Sequence, residues 1–471
     1  VRPPGGGRAG RWAVRLAPVA AGLACAAGAV EATRWLAWVA LLPLSLAWAA
    51  GAYPAGFLFA LTLHATTLGP WTDALRAEAP AVAAGLSLGV PLLLALPYGL
   101  LDLALRGLGR LPVGRRLAPL AGAGGLLALW LLSDRWLATK PWYALARDPA
   151  PLWIVRHAGE EGLALAVIAL PLALLGLLRR GGWSSRAGLA VWLALLAWLC
   201  AGNPLAGEAR RLPGGGLVGI QPGGAAAGGL PEEVRLVAAL QGVRLAGWEF
   251  GLAILPELAS PPPLDAATRS LIRYREASRM LDTAILANGA QAAGEGGRAF
   301  ARAAVLVAAG ELGPERVSKT RLVPFFESGR YPDGARWVAA GRGRRTIPTP
   351  AGDVAVLLCF ELFDRTALRG LATPPALVAV VADTEDIPHP RFAQYLFNAA
   401  AFQSQVARAP VVLVNAPGPS GVAYPDGTVV RALARGQAGA FRLGPAGELG
   451  VLPLRWGPGP AVGGLQNAAN R

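Results

Sequence analysis

Charged side chains are scarce in this chain. Asp, Glu, Lys and Arg make up 15% of its 471 residues, where a soluble domain carries about a quarter. Beside 54% hydrophobic residues, that shortage argues against an ordinary soluble protein and for a membrane one. Cysteine is nearly absent too. Cys25, Cys200 and Cys359 show no paired spacing, so neither a disulfide framework nor a zinc site is indicated. The three histidines, His64, His157 and His389, are scattered, which argues against a metal cluster, and no cofactor is expected. Acidic residues are outnumbered, 29 against 44 basic, for a formal charge of +15. The basic residues are almost all Arg and lie in short clusters between apolar runs. That is the positive-inside pattern of a membrane protein rather than a nucleic-acid footprint.

Apolar runs are abundant between residues 13 and 201. Seven have about the length that crosses a hydrocarbon core: 13–30, 33–50, 53–70, 82–105, 116–134, 162–178 and 186–202. Pro91 and Pro97 are expected to kink the fourth. The first is not read as a cleaved signal peptide, because further runs follow it directly. Arg2, Arg8 and Arg11, then Arg106, Arg110, Arg115 and Arg116, then Arg179, Arg180 and Arg186 fall on one side if seven helices alternate, which makes that side cytoplasmic. Everything after residue 203 is then expected outside the cytoplasm. The loop expected at 134–161, with Trp136, Trp142, Tyr143 and Trp153, reads as an interfacial aromatic belt. His64, in the third run, fits a helix-packing hydrogen bond as well as a functional group, and no role is assigned to it.

Beyond "AGNPLAGEARRLPGGG" the long runs give way to short ones. "GLVGIQP", "FGLAILPE", "DTAILANGA", "RAAVLVAAGE", "DVAVLLCFE", "ALVAVVADT" and "APVVLVNAPG" each read as a buried strand. Helical periodicity marks "PEEVRLVAALQGVRLAG", "LDAATRSLIRYREASRML" and "PRFAQYLFNAAAFQSQVAR". Strands alternating with helices predict an α/β fold, and the "PDG" at 425–427 marks a turn between two strands. The expected organisation is a multi-pass α-helical membrane domain over 1–203, an α/β domain over 204–455, and a Pro/Gly-rich tail over 456–471 that cannot span a bilayer.

Three reactive side chains stand where a short run yields to a loop. Glu257 ends "GLAILPE", Lys319 lies in "ERVSKTRLVPFFESG" eight positions before Glu327, and Cys359 closes "DVAVLLC", followed by Phe360 and Glu361. Singly each has a bland reading: an inert buried thiol, a solvated lysine, a glutamate near a helix start. Together they supply a nucleophile, a base to take its proton, and a cation for an oxyanion, without histidine.

The order Glu, Lys, Cys, within Leu255-Pro256-Glu257, Lys319 through Leu322-Val323-Pro324-Phe325 to Glu327, and Cys359-Phe360-Glu361, resembles the nitrilase (carbon–nitrogen hydrolase) superfamily. Seven spans ahead of such a domain resemble the apolipoprotein N-acyltransferases in particular. The resemblance covers nearly the whole chain, and the lysine segment is its most specific part. It implies an α-β-β-α sandwich and a ping-pong acyl transfer on the outer face of a bacterial inner membrane. Cys359 would take an acyl chain from a phospholipid as a thioester, and the α-amino group of a diacylglyceryl-cysteine on a lipoprotein would receive it. Glu257 would be general base and acid, Lys319 the oxyanion partner, and Glu327, Glu361 and Phe360 would position the lysine or the acceptor. The chain departs from the family in its spanless tail, in "VADTEDIPH", and in "AAFQSQVAR". With water or another acceptor the same triad would make a membrane-tethered amidase or a different acyltransferase, and a degenerate relative would be inactive.

Overall fold

The protein is represented by a computed structural model that describes residues 8–28, 31–76, 80–111, 114–132, 143–147, 149–180, 190, 216–222, 232–257, 269–292, 299–323, 327, 336–337, 345–364, 366–369, 371–385, 387, 389–444 and 447–454. It divides into two compact units, residues 1–206 with 387–399, and residues 207–386 with 400–471.

The first unit is helical. Its long elements are α1 (Arg8–Gly28), α2 (Leu42–Ala49), α3 (Ala55–Thr67), α4 (Gly69–Arg76), α5 (Pro80–Leu108), α6 (Gly114–Leu132) and α7 (Pro149–Arg180). Among the described residues one helical stretch, Ala83–Leu108, is long and apolar enough to cross a bilayer; Trp12–Gly28, Trp35–Trp48, Ala55–Thr67 and Ala121–Trp130 are apolar but shorter. The α5 helix runs unbroken through Pro91 and Pro97. It leaves Leu88, Leu92, Leu93, Leu96, Leu100 and Leu103 between 46% and 70% exposed. Two sequence expectations need correction. The run at 33–50 is a 3-10 turn, Glu31–Trp38, followed by the separate α2, not one span. The loop expected at 134–161 is helical from Pro149, with its break only at Gly159, where φ is 68°. A positive φ at a residue without Cβ interrupts the helix at little steric cost, so the apolar pattern continues past the polar stretch. The seventh run, Trp136, Trp142 and the tail lie outside the described residues.

One buried acid organises these helices. Asp102 on α5 accepts hydrogen bonds from Trp48 Nε1 at 2.8 Å and from the backbone N–H groups of Gly56 and Phe57, both at 2.9 Å. Gly56 and Phe57 are in the first turn of α3, whose N–H groups have no intrahelical partner, so Asp102 caps that helix from another element. A Cβ on Gly56 would come within 3.0 Å of the carboxylate. Asp102→Ala should cost about 3 kcal/mol by leaving buried donors unmade, and Asp102→Asn much less. Thermal unfolding in detergent reads the difference; equal stability of D102A and wild type would refute the capping role.

The second unit is α/β. A parallel core of β1 (Leu217–Gln221), β2 (Leu252–Ile254) and β3 (Ala284–Ala292) is extended antiparallel by β4 (Ala299–Ala308) and β5 (Glu311–Ser318). The short β6 (Arg336–Trp337) also pairs with β4. A second sheet holds β7 (Thr346–Thr349), β8 (Gly352–Leu358), β9 (Leu377–Asp383), β10 (Val411–Ala416), β11 (Ser420–Ala423) and β12 (Val429–Leu433) in the order β12-β11-β10-β9-β8-β7. β13 (Gly439–Leu443) returns to the first sheet beside β1, and β14 (Leu449–Pro453) forms its edge.

Period-2 side-chain alternation explains how these strands, apolar throughout, serve two cores. Leu252 and Ile254, Leu286, Ala304 and Leu306 face Val354, Val356 and Leu358, Leu377, Ala379 and Val381 between the sheets. The alternate residues Val218, Ile220, Ala253 and Ile285 face outward onto α8 (Glu232–Leu245) and α9 (Arg269–Leu281). There Leu236, Ala239, Leu240 and Val243, and Leu271, Tyr274 and Ala277, follow helical spacing. The last part of α10 (Pro390–Ala407) is fixed by polar side chains. Gln403 donates to the carbonyls of Leu362 and Asp364 at 3.0 and 2.9 Å, Ser404 to that of Tyr424 at 3.1 Å, and Gln405 to that of Pro425. The unusual polar run in "AAFQSQVAR" therefore ties this helix to loops flanking the second sheet. The predicted "PDG" turn joins β11 to β12, with Gly427 at φ 85°.

Candidate active site

Each strand end foreseen as reactive delivers a buried polar group. β2 ends at Ile254, and Leu255 continues the pairing by donating its N–H to Leu286 O at 3.0 Å. Glu257 follows two residues on, 1% exposed. β5 ends at Ser318. Lys319, with no exposed surface, is held beside β4 by its own N–H on Arg302 O at 2.7 Å. Its ammonium donates to Glu257 Oε1 at 3.1 Å and to Glu327 Oε1 at 2.8 Å. Glu327 in turn accepts the Val323 N–H at 2.8 Å.

Cys359 caps β8 at the start of a 3-10 turn, Cys359–Phe363, and takes φ 48°, a backbone region costly for a residue with a Cβ. That turn points the thiol away from the strand it ends, and Sγ donates to Asp383 O at 3.7 Å. Glu361 pins the turn. Its carboxylate accepts from Leu358 N at 3.0 Å, Thr320 N at 2.6 Å and Thr320 Oγ1 at 2.7 Å, and pairs with Arg345 at 2.8 Å. Arg345 also donates to Thr320 Oγ1. Glu361 thus grips the residue after Lys319 rather than the ammonium itself. Phe360 is buried and lies 4.9 Å beneath the Arg321 guanidinium.

Electrostatics tie the thiol to the other groups. Burial, reinforced by the negative charges of Glu257 and Glu327, pushes the Cys359 pKa well above the ordinary thiol value, against the opposing pull of Lys319 and of the hydrogen bond to Asp383. The resting group is therefore a thiol that needs a base. Burial disfavours the Lys319 charge, but Glu257, Cys359 and Glu327 outweigh it and hold the lysine pKa above the usual range. It stays an ammonium at every physiological pH.

Reasoning from sequence missed Arg302. It forms ion pairs with both acids, Nη1 lying 3.2 Å from Glu257 Oε1 and Nε 3.2 Å from Glu327 Oε1. Alternation along β4 places it on the face of Ala304 and Leu306, which belong to the core between the sheets. A lone arginine on a core face must be paired, and that was the available signal.

No family model matches the chain, and no curated protein matches it in sequence. Solved structures to which it is similar include an amidase of the nitrilase superfamily from Nesterenkonia, 17% identical over 51% of this chain and 92% of that one, with a TM-score of 0.34. A nitrilase-superfamily member from Saccharomyces cerevisiae is 14% identical over 52% and 92%, with a TM-score of 0.36. A carbon–nitrogen hydrolase superfamily protein from Xanthomonas campestris, with an arsenic adduct in its active site, is 17% identical over 50% and 90%, with a TM-score of 0.38.

Proposed function

We propose that the chain is an acyl-transferring enzyme of the carbon–nitrogen hydrolase type, and specifically an apolipoprotein N-acyltransferase. The observation that carries this reading is the Lys319 ammonium clasped by Glu257 and Glu327 within electrostatic reach of a strained, base-requiring thiol. Glu257 takes the Cys359 proton as sulfur bonds to the ester carbonyl carbon of a phospholipid. An ammonium has three donors; two hold carboxylates, and the third is available for the oxyanion. Collapse breaks the ester C–O bond, and Glu257 returns its proton to the departing lysophospholipid. The amine of a diacylglyceryl-cysteine then attacks the thioester, forming the N–C bond as C–S breaks. The proton it sheds passes through Glu257 back to sulfur.

Two cations against two carboxylates leave the site without net charge, which suits a neutral acyl group. The lipid-tailed substrates are consistent with the leucine face of α5 lying in a bilayer, and with the arginine pattern that puts the α/β unit on the periplasmic side of an inner membrane.

Intact-protein mass spectrometry after mixing with phospholipid vesicles tests the reading. One acyl chain should add to Cys359 and be removed by hydroxylamine. The adduct should be long-lived in buffer and discharge at least about tenfold faster with a diacylglyceryl-cysteine peptide, because a transferase excludes water. Decay at one rate with and without peptide would replace this reading with an amidase-like hydrolase. No adduct at all would end both.

A further inference from the structure

The Glu257–Lys319–Glu327 cluster contains more negative charge than one ammonium can balance. Glu257 and Glu327 present their Oε1 atoms to the same Nζ, at 3.1 and 2.8 Å, so the two acids are close neighbours in a dry site. Two carboxylates sharing such a site repel each other. Arg302 bridges the same two oxygens from β4, at 3.2 Å to each, and its side chain is 9% exposed. Its rigid, planar guanidinium therefore lies within ion-pair distance of both acids at once.

We propose that Arg302 is a positioning residue of this site, holding Glu257 and Glu327 together as an aligned, charge-balanced pair so that Glu257 can accept the Cys359 proton. The inference rests on Cys359 as nucleophile and Glu257 as its base. Lys319 can then turn a donor to the oxyanion without leaving two acids uncompensated. The charged groups that act on Arg302 are Glu257, Glu327, Cys359 and Asp383, and Lys319 stands across the same carboxylates. Burial opposes the guanidinium charge, but those four groups together hold its pKa above the ordinary arginine value. Arg302 is a cation throughout the accessible range, so it acts as a fixed charge and not as a switch.

Without the Arg302 charge, the negative charges of Glu257 and Glu327 act on the thiol less opposed, so Cys359 gives up its proton less readily. The acidic limb of Cys359 reactivity therefore moves to higher pH. Carbamidomethylation of Cys359 by iodoacetamide, which forms the S–C bond as iodide leaves, followed by mass spectrometry on the full chain in detergent, measures that limb without any acyl donor. In Arg302→Gln the limb should rise by about one pH unit or more, a loss of about tenfold at a fixed pH on the limb. Arg302→Lys keeps a charge but not the rigid plane that lies against both oxygens. Its limb should stay near that of wild type while its plateau rate falls several-fold.

A limb in R302Q that coincides with wild type would overturn the proposal, as would an R302K limb displaced as far as that of R302Q. Should R302Q fail to fold, an R302K plateau equal to wild type would also overturn it. Because the assay contains no phospholipid, a missing acyl adduct would defeat the acyl-transfer reading and leave an observed shift standing. An unmoved limb would defeat the role of Arg302 whatever the acyl assay shows.

Discussion

Cys359→Ala should form no acyl adduct and lose acyl transfer by a factor on the order of 10⁴ or more, as removal of an attacking group does elsewhere. The fold should survive. The thiol is small, its single hydrogen bond to Asp383 O is long at 3.7 Å, and its loss should cost about 1 kcal/mol. A pH signature accompanies the activity loss. The Cys359 pKa is raised by burial from its ordinary 9.0, so above that pH the unfolded chain releases a proton that the folded chain retains. Stability contributed by the protonated thiol is then lost as pH rises. Between pH 9 and 10 wild type should lose about 1 kcal/mol relative to C359A. Denaturant unfolding at the two pH values measures it. Full activity in C359A would refute the nucleophile, and parallel pH profiles would refute its burial as an uncharged thiol.

The part of this site that was legible in the sequence is the part carried by local pattern. Glu257 and Cys359 follow short apolar runs, and runs of that length end at strand ends, while Lys319 was legible from the spacing of its own segment, so the chemistry could be placed before any contact was known. Glu327 was legible because it lies in the same short stretch of sequence as Lys319. Glu361 was visible as a residue but not in its contacts, since its partners Thr320 and Arg345 come from distant segments that only tertiary structure joins. Arg302 was hidden for a related reason. It opens a run of small residues, and only the pairing of β4 with β3 and β5 shows that its alternation faces the core. The strands β5 and β7 were also missed. Their polar and proline-bearing sequences, "ELGPERVS" and "TIPT", give a weak period-2 signal, and pairing with β4 and β8 supplies the missing stability. In the helical unit, hydropathy located apolar helix but not its breaks. A run of apolar residues looks the same whether it continues as one helix or divides near Val39 and Ala40, as the run at 33–50 does.

Removing the lysine should be the most damaging of these changes to folding, and it should slow the chemistry as well. Lys319→Met preserves an unbranched apolar stem of comparable length but leaves Glu257 and Glu327 facing Arg302 alone. Breaking one partner out of a buried ion cluster costs about 3–5 kcal/mol, because the stranded charge cannot regain its hydration. The loss is mostly that stranded charge rather than lost attraction, so it should be relieved by removing the charge itself. Glu327→Gln does this while keeping a side-chain oxygen for the Val323 N–H, now bonded at 2.8 Å. The double variant K319M/E327Q should therefore be more stable than K319M alone, with a coupling of about 1–3 kcal/mol. Chemistry should not recover with stability. The oxyanion donor is absent from both variants, and each should remain about 10²–10³-fold slower in acylation. Urea unfolding of the four corners of the cycle, with acylation rates on the same preparations, separates the two effects. Strictly additive stabilities would show that Lys319 and Glu327 do not balance each other's charge. Recovery of activity in the double variant would remove Lys319 from the oxyanion role and leave it a counter-ion.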